Sequence, residues 1–287
     1  MNKSIFIKMK KSILLIFFFF SLNIFSQKII QGFVLDSINN PIVFANVGML
    51  NSSVGTISDD NGSFVLNLDK VDFNDTLRIS SLGFKSRDIR VSELSFNQSL
   101  GINLETEVFL LKELEILSGN LKTYTEGKSK TDTKSKVIFA NEKYANFNMG
   151  TEIGRRFDIG SKKPSLLSKF QFYIKENNFD SNTFKVNIYG LKNGKPAILL
   201  NSENIFVTIE KDFTGWVTVE LEDYNLIIQE DIAVCVQWVK YSGNGNILNL
   251  PMIAPSLGSI HYYKFGSQNK WEKYGKVSSP MKLVYQQ

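Results

Sequence analysis

Apolar and polar side chains alternate in short runs along most of the chain, and no run of ten or more residues keeps a helical period. Between residues 28 and 117 the runs are KIIQGFVL, PIVFANVGML, VGTIS, SFVLNL, DTLRIS, SRDIRV, GINLET and VFLLKELEIL. Turn-forming Asn-Asn-Pro, Asp-Asp-Asn-Gly and Leu-Gly-Phe stretches separate them, and short strands at that spacing predict a β-sandwich. Residues 118–136 are nearly free of apolar side chains and read as a flexible polar linker. From Val137 the rhythm resumes with EIGRRFDI, LLSKFQFYIK, TFKVNIYGL, NIFVTIE, GWVTVEL, DIAVCVQWV, NILNLPMI and SIHYYKF. The expectation is an all-β chain: one sandwich over 27–117, a linker over 118–136, and a second, jelly-roll-like β-sandwich over 137–287.

The run DIAVCVQWV is apolar on both faces, which predicts a central strand covered on both sides. Cys235 lies in it and reads as a small, inert core residue. It is the only cysteine, so the chain has no intramolecular disulfide and no thiolate metal cluster. Each sandwich is then held by its own core, within reach of bodies of ~90 and ~140 residues.

The first 27 residues, MNKSIFIKMKKSILLIFFFFSLNIFSQ, depart from the alternating rhythm. Lysines 3, 8, 10 and 11 precede an apolar run from Ile13 to Phe20, and the small Ser26 precedes Gln27. A basic flank, a short apolar stretch and a small boundary residue predict a secretory signal peptide over residues 1–26. The run is far short of the ~20 residues that span a bilayer. The reading places the mature protein outside the cytoplasm, in the periplasm, outer-membrane-associated or secreted, with no transmembrane segment.

That reading changes the charge. The formal net charge is +5, and removing the four lysines of residues 1–26, which hold no acids, leaves +1. Nucleic-acid binding loses its main support. The rest is uneven: residues 27–117 hold 7 basic and 12 acidic side chains, net −5, while 118–149 and 150–287 each carry net +3.

The stretch TISDDNGSFVLNL sets Asp59, Asp60, Asn61 and Gly62 between two alternating runs. An EF-hand calcium loop fails here, because its first ligand position falls on Ile57 and its bidentate acid on Leu68. A turn fits instead: Asp59 bonds the amides of its own bend, Gly62 takes positive φ, and Phe64, Leu66 and Leu68 alternate into one apolar face. The wider pattern, GFVLDSINNPIVFANVGML…VGTISDDNGSFVLNL…LRISSLGF, closely resembles the carboxypeptidase regulatory-like domain. The matching positions include Gly32, Pro41, Ala45, Gly55 and Thr56, then Asp59, Gly62 and Phe64, and finally Gly83 and Phe84. The resemblance implies a transthyretin-like, seven-stranded β-sandwich in which these residues set turns and core. It also implies an exported Gram-negative envelope protein, related to periplasmic extensions of outer-membrane nutrient receptors.

The family name comes from an accessory domain of zinc carboxypeptidases, and the catalytic half is missing. A zinc peptidase needs closely spaced histidines and a carboxylate, whereas His261 is the only histidine. No Gly-x-Ser-x-Gly elbow and no Gly-x-x-x-x-Gly-Lys phosphate loop occurs. Glu220 and Glu222 are a conceivable glycosidase pair, although acids so placed on an exposed strand edge are usually only solvated. No enzyme activity and no cofactor are expected. The favoured reading is a structural or protein-interaction module of the envelope. The alternative is glycan binding through aromatics in YKFGSQNKWEKYGK, with Tyr263, Trp271 and Tyr274 stacking on sugar rings and Gln268 and Lys270 as polar companions.

Overall fold

The computed structural model describes residues 28–68, 71–96, 98–107, 121–140, 149–159 and 163–287. The expected signal peptide, the run VFLLKELEIL and residues 118–120 lie outside the described residues. The regular structure of the described residues is almost all β, with only two short 3-10 turns, Val91–Glu93 and Glu222–Tyr224.

Among the described residues, seven strands form the N-terminal sandwich. They are β1 (Ile29–Leu35), β2 (Asn46–Met49), β3 (Gly55–Ile57), β4 (Ser63–Asn67), β5 (Thr76–Ser80), β6 (Arg87–Arg90) and β7 (Leu100–Asn103). One layer has the order β4-β1-β7 and the other β3-β2-β5-β6. Period-two alternation decides what faces inward: Ile30 and Val34 of β1 and Phe64 and Leu66 of β4 are buried, while Ile29, Phe33 and Val65 are exposed. With Val47, Leu77, Ile79 and Ile102 they close one core.

The Asp59–Gly62 bend joins these layers as the sequence predicts. Asp59 Oδ1 accepts from the amides of Asn61 at 2.9 Å and Ser63 at 2.8 Å, and Gly62 has φ +72°. A Cβ at Gly62 would stand 2.6 Å from the Val34 carbonyl oxygen, so both backbone angle and space require glycine.

The remaining strands build the C-terminal sandwich. In chain order they begin with β8 (Thr123–Gly127), β9 (Lys136–Ala140), β10 (Glu152–Phe157), β11 (Ser165–Ile174), β12 (Glu176–Asn177) and β13 (Ser181–Lys192). Next come β14 (Lys195–Leu199), β15 (Ile205–Glu210), β16 (Gly215–Glu220), β17 (Ile227–Ile228) and β18 (Ile232–Ser242). The last are β19 (Leu248–Pro251), β20 (Ile260–Lys264), β21 (Glu272–Gly275) and β22 (Met281–Gln286). A large sheet runs β14-β13-β18-β10-β20-β21, with β15 also on β13. It faces the sheet β16-β11-β22-β8 across a core that holds Trp238, Phe139, Phe157, Phe170, Phe172 and Phe184.

Two sequence expectations meet the structure here. β18 is buried on both faces, between β13 and β10, and Cys235 is fully enclosed. Within the segment 118–136 read as a linker, Thr123–Gly127 is the edge strand β8, antiparallel to β22. Its side chains are polar because an edge strand needs only backbone pairing and one inward contact. Glu126 supplies that contact, reaching Arg155 at 2.8 Å.

Candidate functional site

The sequence-predicted aromatics do not converge on one surface. Tyr263 lies opposite Glu272, and His261 opposite Tyr274, so these four share one face of the large sheet. Trp271 precedes β21, and by alternation it faces the other way with Tyr262 and Lys264. Tyr263 packs against the main core, with burial pushing its phenol up to about 12, whereas Tyr274 is 45% exposed on the edge strand. Gln268 does not face solvent as a ligand group; its Nε2 donates to Ser80 Oγ at 2.7 Å in the other sandwich. Lys270 is exposed. Glu220 pairs with Lys169 at 3.2 Å, and Glu222 begins a 3-10 turn beyond the strand.

Trp271 instead roofs a second, small core on the outward face of the large sheet. Its ring meets Tyr189 at 5.6 Å and Tyr262 at 6.3 Å, above Ala233 and Cys235. The β13–β14 hairpin curls over this end: Tyr262 Oη donates to the Gly194 carbonyl at 2.9 Å and Lys195 Nζ to the Trp271 carbonyl at 3.0 Å. That curl is why β18 is apolar on both sides.

Beside the small core lies a group of buried polar side chains. Glu152 is 1% exposed, and its Oε2 accepts from Asn187 Nδ2 at 3.0 Å and Tyr189 Oη at 2.9 Å. Its Oε1 pairs with Lys264, whose ammonium stands 4.9 Å from the Trp271 ring centre. Next to it Gly154 lies opposite Cys235, and a Cβ there would meet Cys235 Sγ at 2.3 Å. Lys185 is buried in the same group, and loss of hydration holds its amine down at about 8. Burial, then the Glu152 charge, pushes the Tyr189 phenol and the Cys235 thiol well up. Three donors thus satisfy the buried Glu152 carboxylate. Sequence reading passed over this group, although Lys185, Asn187 and Tyr189 form a polar period-two row inside the otherwise apolar run TFKVNIYGL.

The N-terminal sandwich is seated on this outward face. Asn46 Oδ1 accepts from Gln237 Nε2 at 2.6 Å, and Ser267 Oγ donates to the Val47 carbonyl at 3.0 Å. Phe44 and Ile57 pack with Val239, and Lys240 pairs with Asp60 at the rim.

Residues 30–116 match the family described as the CarboxypepD_reg-like domain. The N-terminal sandwich is a carboxypeptidase regulatory-like domain. In this domain the positions that carried the resemblance are turns, core and close approaches. Ala45 and Phe64 are buried, Pro41 bridges to Leu35, Gly83 has φ +87°, and Phe84 packs at the edge of the core. Gly32 lies against β7, where a Cβ would sit 2.2 Å from the Leu100 carbonyl oxygen, and Thr56 pairs with Val47. Gly55 has an additional duty to the C-terminal sandwich, because a Cβ there would meet Ser267 Oγ at 2.6 Å.

No curated protein matches the chain. Among solved structures it is similar to the cysteine protease and lectin-like domains of Cwp84, a surface-layer-associated protein of Clostridium difficile. That likeness has 17% identity and a TM-score of 0.37, covering 52% of this chain and 36% of that one. A second Cwp84 structure, after propeptide cleavage, gives 13% identity and TM-score 0.37 over 85% of this chain and 65% of that one. BcpA, the major pilin subunit of Bacillus cereus, gives 11% identity and TM-score 0.19 over 88% and 69%. The chain thus spans about a third to two thirds of the Cwp84 chains. Among the described residues no helix is long and apolar enough to cross a membrane, and no three His, Cys, Asp or Glu side chains gather as a metal site would.

Proposed function

We propose that the protein is an exported, non-catalytic envelope component whose carboxypeptidase regulatory-like domain engages a protein partner of outer-membrane nutrient uptake. The observation that supports this reading is the outer face of the β4-β1-β7 layer. Ile29 and Phe33 of β1 and Val65 of β4 are 37%, 44% and 59% exposed on one side of neighbouring strands. Phe73 is 52% exposed beneath the Lys28 ammonium, which lies 4.4 Å from its ring centre. Large apolar side chains gathered on one sheet face mark a contact surface more often than singly scattered ones do, and here they surround the exposed amide of Gln31, which lies opposite Val65. This face belongs to the layer that does not carry the seat on the C-terminal sandwich.

A photo-crosslinking residue at Phe33 or Val65, introduced in cells, tests the reading. The expected product is one discrete adduct with an outer-membrane protein, abolished by Val65→Asp or Phe33→Asp respectively, with the melting temperature kept. The same probe at Ile198, 63% exposed on β14, should give none. Adducts from Ile198 alone would overturn the proposal.

A further inference from the structure

The seat between the two sandwiches has the marks of a purpose-built interface. Phe44 holds φ +54°, a left-handed backbone that a bulky side chain rarely adopts. Its ring leaves the core of its own domain, packs with Ile57 and Val239, and meets Phe206 edge-to-face at 5.3 Å. A buried aromatic anchor is the kind of side chain that carries much of the energy of protein interfaces. A second device lies one strand away. Gly48 and Gly55 face each other across β2 and β3, and Ser267 fills the slot they leave. A Cβ on either glycine would stand 2.7 or 2.6 Å from Ser267 Oγ.

The sheet register shows what the seat covers. Lys185 lies directly opposite Phe206 on one side and opposite Gln237 on the other. Residues directly opposite on neighbouring strands share a face. Phe206 is the ring that Phe44 meets, and Gln237 is the side chain that Asn46 accepts from. Lys185 therefore sits between the two contact points, with the regulatory-like domain above it, and it is 4% exposed.

We infer that the Phe44 anchor and the Gly48–Gly55 slot form a dedicated binding surface for the C-terminal sandwich, and that the regulatory-like domain covers Lys185 by docking there. The depressed amine of Lys185 accords with this cover, since burial is its leading cause. The C-terminal sandwich is thereby the resident partner of this layer of the domain.

The inference is tested on the full chain by lysine acylation read by mass spectrometry, well below the melting temperature. In the wild type, Lys185 should react at least fivefold more slowly than the exposed Lys270. Phe44→Gly removes the anchor and relieves its backbone, and should raise Lys185 labelling at least fivefold while β-sheet circular dichroism persists. Ser267→Leu, which overfills the slot from the other side, should do the same and decides the matter if Phe44→Gly fails to fold. Wild-type labelling equal to that of Lys270, or less than a fivefold rise in the folded variants, would overturn it.

Discussion

Arg155 and Glu126 join the two sheets of the C-terminal sandwich through a 2.8 Å ion pair, with the Arg155 side chain only 3% exposed. Burial raises the Glu126 carboxyl and lowers the Arg155 guanidinium, each shift opposed by the charge of the other. The pair ties β8 to β10, so the polar segment that brings the chain into this body is part of its structure. Removing one partner strands the other charge. Glu126→Ala should cost about 3–5 kcal/mol in urea unfolding, and limited proteolysis of the wild type should spare Thr123–Gly127. Early cleavage within that strand would restore the linker reading.

His261 gives the fold an acid limit. It is 2% exposed against Ser279 Oγ at 3.4 Å, and burial, helped by Arg155, lowers its pKa from 6.5 to about 4. Between those values the unfolded chain binds a proton that the folded chain does not, so stability falls as the pH drops from about 6.5 to about 4. The full effect is about 3 kcal/mol. Melting temperatures across pH 4–7 should flatten in His261→Phe.

Lys185 acts at the alkaline end with the same sign. Its folded pKa of about 8 lies below the ordinary 10.5, so the unfolded chain again holds the extra proton in that interval. Stability should therefore rise as the pH increases from about 8 to about 10.5, and Lys185→Met should abolish that rise. A wild-type curve that is flat or falling in this window, after correction for the other lysines, would contradict the burial.

Gly62, Asp59 and Asp60 separate the roles within one turn. Gly62→Ala meets both positive φ and the Val34 carbonyl, and should cost more than about 1 kcal/mol. Asp59→Ala forfeits two backbone bonds and should cost about 1–2 kcal/mol. Asp60→Ala loses only the exposed pair with Lys240, less than about 1 kcal/mol, and calcium should not alter melting of any of the three.

Trp238 and Trp271 should behave differently in one thermal melt. Trp238 is fully buried and donates to Asn182 Oδ1 at 2.8 Å, so Trp238→Ala should cost about 3–5 kcal/mol. Trp271 is half-buried on Tyr189 and Tyr262, so Trp271→Ala should cost about 1–2 kcal/mol and quench the fluorescence change on acid unfolding.

Strand identity was legible wherever a run alternated or was wholly apolar, as in β1, β4, β11 and β18, because burial of one or both faces is written into residue type. The Asp59–Gly62 turn was legible for the same local reason. β8 was not, since an edge strand with exposed side chains has the composition of a loop, and its pairing with β22 lies far away in sequence. The placement of the aromatic candidates was not legible either: Tyr263 and Trp271 are near neighbours in sequence, but the register of β20 on β21 puts them on opposite faces. Glu152 was hidden because its partners Asn187, Tyr189 and Lys264 lie on strands far away in sequence, which no local window contains.

The backbone of Lys122 exchanges two hydrogen bonds with Gln287, at 2.9 and 3.0 Å, at the mouth of the β8–β22 pair. Traction applied between these two residues would load the ladder one rung at a time, like a zip, and not all rungs together in shear. The second sandwich is thus mechanically soft along this line, although its core is large. A pull on Lys122 against Gln287 would peel β8 from β22 and draw Glu126 from Arg155 before it reached the strands behind them.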